Sequence, residues 1–139
     1  GRVIDEYQRE FRRGDFLIRN LMDADQESGA IAVMDRVETG TTIQFHVRDA
    51  ESADEDLRAL LALQAAAPLA GALLFSCNGR GTRLFPEPDH DIRATREILG
   101  PVPVAGFFCA GEFGPVGGKN FIHGHTASLA LFRPAEPRV

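Results

Sequence analysis

Two cysteines and two closely spaced histidines are the residues of this sequence best suited to chemistry. Cys77 lies in the stretch GALLFSCNGRGTRLF (residues 71–85), where an apolar run ends in a thiol, an amide and a guanidinium. Cys109 follows a second apolar run, and one glycine separates His123 from His125. A histidine could activate a thiolate nucleophile, and thiolates with imidazoles could hold zinc. A cysteine enzyme, a metal site, a phosphate cradle and a ligand-binding loop would each give part of this pattern.

The spacing of these residues disfavours the first three kinds of site. No cysteine-hydrolase signature surrounds Cys77, and a free cysteine usually behaves as a small buried hydrophobe. Zinc sites normally bring closely spaced ligand pairs. Here the histidines of HGH form one such pair, but the two cysteines lie far apart in the sequence. Residues 78–81, NGRG, lack the lysine and hydroxyl of a phosphate-binding loop. We therefore predict no catalytic residue, no metal and no cofactor, and keep a cysteine-dependent enzyme as the third hypothesis.

Three segments combine glycines with isolated polar groups at the ends of apolar runs: residues 76–81, 106–112 and 120–126. If these ends meet, they form the floor of one pocket, because glycines let backbone amides approach a ligand closely. Arg80 would bind a carboxylate or phosphate, and Glu112 would accept from an amino group. A structural Arg80–Glu112 ion pair is the alternative. The predicted ligand-binding residues are Ser76, Cys77, Asn78, Arg80, Gly111, Glu112, His123, His125 and Thr126.

Hydrophobic periodicity predicts an α+β fold in the order β-β-β-α-β-α-β-β, with about five or six mostly antiparallel strands and two helices packed on the sheet. The most regular alternation, at 41–48, predicts a strand. The first helix is expected to be capped by Ser52, and the second to begin at Asp89 or Asp91 and end at Gly100. The other predicted strands are 15–22, 30–33, 70–75, 102–108 and 121–132, with a glycine-rich loop at 111–118.

Composition restricts the function classes. The chain has 139 residues and a net charge of −5, which suits one soluble domain and argues against nucleic-acid binding. No apolar run is long enough to cross a bilayer, and no secretory signal opens the chain, so we expect a cytoplasmic protein with no membrane contact and with reduced thiols. The first residue is not methionine, and we expect a piece of a longer protein.

The motifs LLFSCNGRG, PVAGFFCAGEFGPVGG and NFIHGHTASLALF together resemble the C-terminal domain of the FIST family of sensory, intracellular signal-transduction proteins. The earlier stretches RRGDFLIRNLMDAD and DRVETGTTIQFHVRDAESADEDL fit the same domain. The resemblance implies that residues 15–134 form one such domain. Residues 1–14 would then continue from upstream sequence, and 135–139 would form a tail.

The resemblance also implies a small-ligand-binding module, with amino acids or related molecules as ligands. The family's SCxxR pattern falls on Ser76, Cys77 and Arg80, and its GE dipeptide on Gly111 and Glu112. Residues 123–126, HGHT, stand where the family commonly has an asparagine-threonine pattern. The expected partners are a small molecule and an upstream FIST N-terminal region or a signalling protein. A protein-interaction module, with homodimers, is the second hypothesis.

Overall fold

The computed structural model describes residues 1–135 and confirms an α+β fold with two helices and mainly antiparallel strand pairs. Within these residues the helices are α1 (Ala50–Ala62) and α2 (His90–Leu99). The strands are β1 (Arg2–Val3), β2 (Phe16–Leu17), β3 (Leu21–Asp25), β4 (Ala30–Val33), β5 (Gly71–Cys77), β6 (Val104–Cys109), β7 (Glu112–Val116), β8 (Lys119–His123) and β9 (Ala127–Phe132).

The chain divides into two compact units. The first contains Gly1–Val47 and Phe113–His123, and the second contains Arg48–Glu112 and the described residues from Gly124 onward. Instead of one sheet of five or six strands, the described residues form three two-stranded sheets and one three-stranded sheet. Of the predicted tail at 135–139, residues 136–139 lie outside the described part of the chain.

The first unit is built from small two-stranded sheets. Strand β1 pairs antiparallel with β2, and β3 pairs antiparallel with β4 through an irregularity near its start. Strands β7 and β8 also pair, and the two glycines between them both have positive φ, which suits a tight hairpin turn. Val3, Phe16 and Leu17 are buried in this unit.

Two strand predictions in this part of the chain were wrong. Residues 41–48 contain no named strand; Ile43 forms an isolated bridge with Arg2, and Phe45 and Val47 are exposed. Alternation marks a strand when a partner and a covering face are available, and the described residues of this unit supply neither beyond that bridge. The glycine-rich stretch 111–118, expected as a loop, contains β7, and the expected strand at 121–132 is interrupted between β8 and β9.

The second unit contains a three-stranded sheet in the order β6-β5-β9. The apolar run before the SCNGRG segment is its central strand, as predicted, parallel to β6 and antiparallel to β9. Helix α2 connects the two parallel strands, so β5 and β6 both end at the same edge of the sheet. This topology brings the SCNGRG and AGE segments together.

The core of the second unit lies between the helices and one face of this sheet. Leu57 and Leu61 of α1 pack with Ala94 of α2, and Leu129 of β9 packs against them. Helix α2 begins and ends at the predicted residues, but the predicted Ser52 cap of α1 was wrong. The N-cap of α1 is Asp49, whose carboxylate accepts from the Ser52 amide at 2.8 Å, and Gly100 ends α2 with a φ of 76°.

Replacing Leu61 with alanine should destabilise this core by about 2–5 kcal/mol, because the side chain is 3% exposed and its removal leaves a cavity. Leu60, the next residue on the same helix, is 58% exposed and is the matched control. Chemical denaturation followed by circular dichroism should show a large loss for Leu61→Ala and a change within about 0.5 kcal/mol for Leu60→Ala. Equal losses would contradict this packing.

Candidate functional site

The end of β5 contains a buried pair of charges. Arg80 is 5% exposed and Asp91 is 6% exposed. The guanidinium donates to both carboxylate oxygens, from Nε and from Nη2, each at 2.8 Å. Ser76 Oγ donates to the same carboxylate at 2.7 Å. This bidentate arrangement fixes the loop after β5 on the first turn of α2.

His90 extends this network to the other helix. Its Nδ1 lies 3.0 Å from Asp91 Oδ1, and its Nε2 lies 2.9 Å from Asp54 Oδ1 of α1. The imidazole stacks on Phe85 with a centroid distance of 3.4 Å. Asp54 also accepts from Arg58, four residues later on α1. The network therefore connects α1, α2 and the end of β5.

The environment of Asp91 favours its charged form. Burial acts to raise the pKa of this carboxyl, but hydrogen bonds from Arg80 and His90, with the charge of Arg80, hold it below its ordinary value. Asp91 is thus a permanent anion at neutral pH. An ionised carboxylate that accepts four hydrogen bonds suits a structural anchor better than a proton acceptor.

A second polar cluster surrounds Glu112, which is 3% exposed. One carboxylate oxygen lies 3.1 Å from Cys109 Sγ, which donates to it. The other accepts from Thr126 Oγ1 at 2.6 Å. Burial, with the nearby Glu112 carboxylate, raises the pKa of the Cys109 thiol. This cluster connects the end of β6, the start of β7 and the residue that precedes β9.

The predicted Arg80–Glu112 pair is not formed. The carboxylate that Arg80 binds is Asp91, and Glu112 instead accepts from a thiol and a hydroxyl. Asp91 is the main site residue that the sequence reasoning did not select, since it was interpreted as part of a helix start. An acidic residue in the first turn of the helix after β5 was the available signal, because the crossover places that turn beside the strand end.

Most of the other predicted site residues also lie at this edge of the sheet. His125 has a φ of 61°, its ring lies against Gly79, and its carbonyl accepts from Arg80 Nη1 at 3.3 Å. Burial and the charge of Arg48 lower the pKa of its imidazole. Asn78 is exposed, and its backbone N–H donates to the Cys109 carbonyl oxygen at 2.7 Å.

Two predicted residues contribute no side chain to these clusters, although the Cys109 sulfur accepts from the backbone N–H of Gly111. Gly111, which is half-buried, supplies no side chain and precedes Glu112 at the start of β7. His123 belongs to the first unit, where its Nε2 lies 3.0 Å from the Gly114 carbonyl oxygen. The other predicted ligand-binding residues all belong to the second unit.

The thiols have few of the contacts that a catalytic or metal site would need. Cys77 is buried and accepts a weak hydrogen bond from the Gly79 amide at 3.5 Å. Among residues 1–135, neither thiol has a hydrogen bond to a histidine, and no group of three or more His, Cys, Asp or Glu side chains is placed to hold a metal ion.

A cavity of about 420 Å³ lies beside the Asp91 network in the second unit. Its polar wall includes Ser76, His90 and Asp91, and its apolar wall includes Phe107 and Phe108 of β6. The full lining consists of Leu74, Ser76, Gly81, residues 89–92, Arg96 and residues 104–108. Of the nine predicted ligand-binding residues, Ser76 is the one that lines this cavity.

The sequence of residues 3–115 matches the family model of the FIST C domain. The chain belongs to the FIST C domain family. It is also 53% identical over 137 residues to the proteins named Uncharacterized protein Rv0628c and Uncharacterized protein MT0656 of Mycobacterium tuberculosis strains, and 53% identical over 136 residues to Uncharacterized protein Mb0898c of Mycobacterium bovis. Each match covers 95% of this chain and 35% of the relative, so this FIST C chain spans about a third of the length of these relatives.

Among the described residues, neither helix of this FIST C domain is long and apolar enough to cross a bilayer.

Proposed function

We propose that this chain is a small-ligand-binding sensory domain in signal transduction, with its ligand in the cavity of the second unit. The observation that carries the proposal is this cavity in a FIST C domain. Its volume of about 420 Å³ lies within the usual range for small-molecule sites, roughly 300–1,000 Å³. An apolar wall facing a few polar groups is also typical of such sites.

The charges on the cavity lining that are unpaired among residues 1–135, the Arg96 guanidinium and the Asp89 carboxylate, favour a zwitterionic ligand such as an amino acid. Arg96 is an exposed cation on the lining, and its guanidinium has no carboxylate partner among the residues the structure describes. It is thus free to bind a ligand carboxylate or phosphate. Asp89, also on the lining, would accept from an amino group, and Phe108, the register partner of Ser76, would contact an apolar part.

Arg80 has a supporting role in this proposal. Its guanidinium is already occupied by Asp91 and the His125 carbonyl, and it does not line the cavity. Because it holds Asp91, and Asp91 holds Ser76 and His90, it fixes the polar wall on which the ligand would rest. We propose that the signal passes to an upstream FIST N-terminal region or to a separate signalling protein in the cytoplasm.

A thermal-shift screen against amino acids, small carboxylates, phosphates and divalent metal ions tests the proposal. A ligand that binds only the folded state should stabilise it by about 2.7 kcal/mol at a hundred times its dissociation constant. We expect a shift with an anionic or zwitterionic compound that is lost in Arg96→Gln. Arg93 is the matched control, since it is exposed on the same helix but does not line the cavity.

The outcomes separate the candidates. A shift that Arg96→Gln removes and Arg93→Gln preserves supports the cavity as the ligand site. Equal shifts in both variants would contradict the role of Arg96, and a shift with a divalent metal alone would contradict an anionic ligand.

A protein-interaction module is the second candidate, and β6 favours it. This strand lies at the edge of its three-stranded sheet, and Phe107 and Phe108 on it are exposed. An exposed apolar edge strand can pair with another chain, including a second copy. Dimers that persist on dilution and do not respond to any ligand would favour this function over the sensor.

A further inference from the structure

The two cysteines of the chain face each other across neighbouring strands. Cys77 ends β5, Cys109 ends β6, and they are direct register partners in the parallel pair. Parallel partners in register project from the same face of a sheet, and neighbouring strands are roughly 4.8 Å apart. That spacing lies within the Cα separations of about 4.4–6.8 Å that a disulfide can bridge. Both thiols are free in this structure.

The two thiols differ in their exposure and in their hydrogen-bond partners. Cys109 is half-buried, so a small oxidant can reach it, and its Sγ donates to Glu112 Oε1 at 3.1 Å. Cys77 is buried, and the Gly79 amide donates to its Sγ at 3.5 Å. One sulfur is therefore placed to react first and the other to react with the product.

We propose that Cys77 and Cys109 form a redox-active dithiol that closes to an intramolecular disulfide with a hydroperoxide as oxidant. Cys109 gives its proton to water, its sulfur attacks one peroxide oxygen, and the O–O bond breaks. The departing hydroxide takes that proton and leaves as water, with Cys109 as a sulfenic acid. Cys77 sulfur then attacks Cys109 sulfur, and the expelled hydroxide takes the Cys77 proton as a second water. Two thiols lose two electrons, and hydrogen peroxide is reduced to two waters.

Closure changes the second polar cluster. Once Cys109 is in a disulfide it has no S–H, so Glu112 loses one of its two side-chain donors. A buried carboxylate with fewer donors is costly, which couples the redox state to the Glu112–Thr126 contact. The raised pKa of Cys109 keeps the thiolate scarce near neutral pH, so the closing rate should rise with pH.

Intact-mass measurement of the folded chain after hydrogen peroxide treatment and alkylation tests the proposal. The wild-type protein should lose two hydrogen masses and take up no alkylating agent, and dithiothreitol should restore both thiols. Cys77→Ser should stop at a Cys109 sulfenic acid that dimedone traps. Cys109→Ser should react far more slowly, because the remaining thiol is buried.

A variant that keeps both cysteines provides an independent readout. Burial and the neighbouring Glu112 carboxylate raise the Cys109 pKa, and Glu112→Gln removes the second of these causes, so Cys109 should alkylate faster at neutral pH than in the wild type. The same peroxide treatment in urea should close the disulfide more slowly than in the folded chain. Sulfinic acid on Cys109 beside a free Cys77, disulfides only between chains, or closure equally fast in urea would each overturn the proposal.

Discussion

Replacing Arg80 with methionine should destabilise the second unit by roughly 3–5 kcal/mol, the usual cost of removing one partner of a buried ion pair. The substitution leaves Asp91 buried, with only Ser76 and His90 as side-chain partners. Both helices belong to this unit, so loss of helical circular dichroism with denaturant measures its unfolding. Arg83, an exposed arginine in the turn that follows, is the matched control and should change stability by less than about 0.5 kcal/mol as methionine.

Acid should reduce the difference in unfolding free energy between the wild type and Arg80→Met. The direction of this change follows from the lowered pKa of Asp91. A carboxyl whose folded pKa is depressed contributes stability that is complete above its ordinary value, here 3.8, and is lost as the pH falls through the lower folded value. Wild type and Arg80→Met should therefore differ most above pH 3.8 and converge below it. A double variant with Asp91→Asn should recover part of the loss. A pH-independent difference would contradict the ion pair as its cause.

Replacing Gly106 with alanine should cost about 3 kcal/mol, the upper end of the usual range for overpacking, because a Cβ at this position would overlap the Leu74 carbonyl oxygen on the neighbouring strand. The contact is with backbone, so no side chain can move aside, and β5 and β6 would have to separate. Gly106 also lines the cavity, so the same change should weaken ligand binding. Denaturant unfolding of the purified variant measures the first effect.

Gly124 is the control for this substitution. It lies in the same unit, its φ is not in the left-handed region, and a Cβ there would meet no other atom within 4 Å. Gly124→Ala should leave stability within about 0.5 kcal/mol of the wild type. If Gly106→Ala were equally mild, the close approach of β5 and β6 described here would be incorrect.

Local signals in the sequence correctly predicted helix α2 and the central strand of the second unit. Gly100 ends α2 because glycine accepts the positive φ that often follows a helix. The apolar run before Ser76 is the central strand of its sheet, because a wholly apolar run suits a strand that is buried on both faces. The ends of the predicted strands also meet, so Cys109, Glu112 and Thr126 form one cluster. These features depend on short-range patterns and on strand order.

Partner choice could not be predicted in the same way. Arg80 could pair with any acidic residue that the fold brought near, and its partner Asp91 is set by the crossover through α2. The alternation at 41–48 failed for a similar reason, because a strand needs a neighbour and sequence periodicity does not name one. The cavity depends on how α2 lies against β6, and this packing cannot be predicted from the sequence of either segment alone.

The most direct test of the central claim is a nuclear magnetic resonance titration of the isotope-labelled chain with the standard amino acids and small carboxylates. We expect a binding compound to shift the backbone amides of residues 89–92 and 104–108, around the cavity, and we expect Arg96→Gln but not Arg93→Gln to weaken this effect. Shifts confined to other residues, or no saturable shift with any of these compounds, would contradict a ligand site in this cavity.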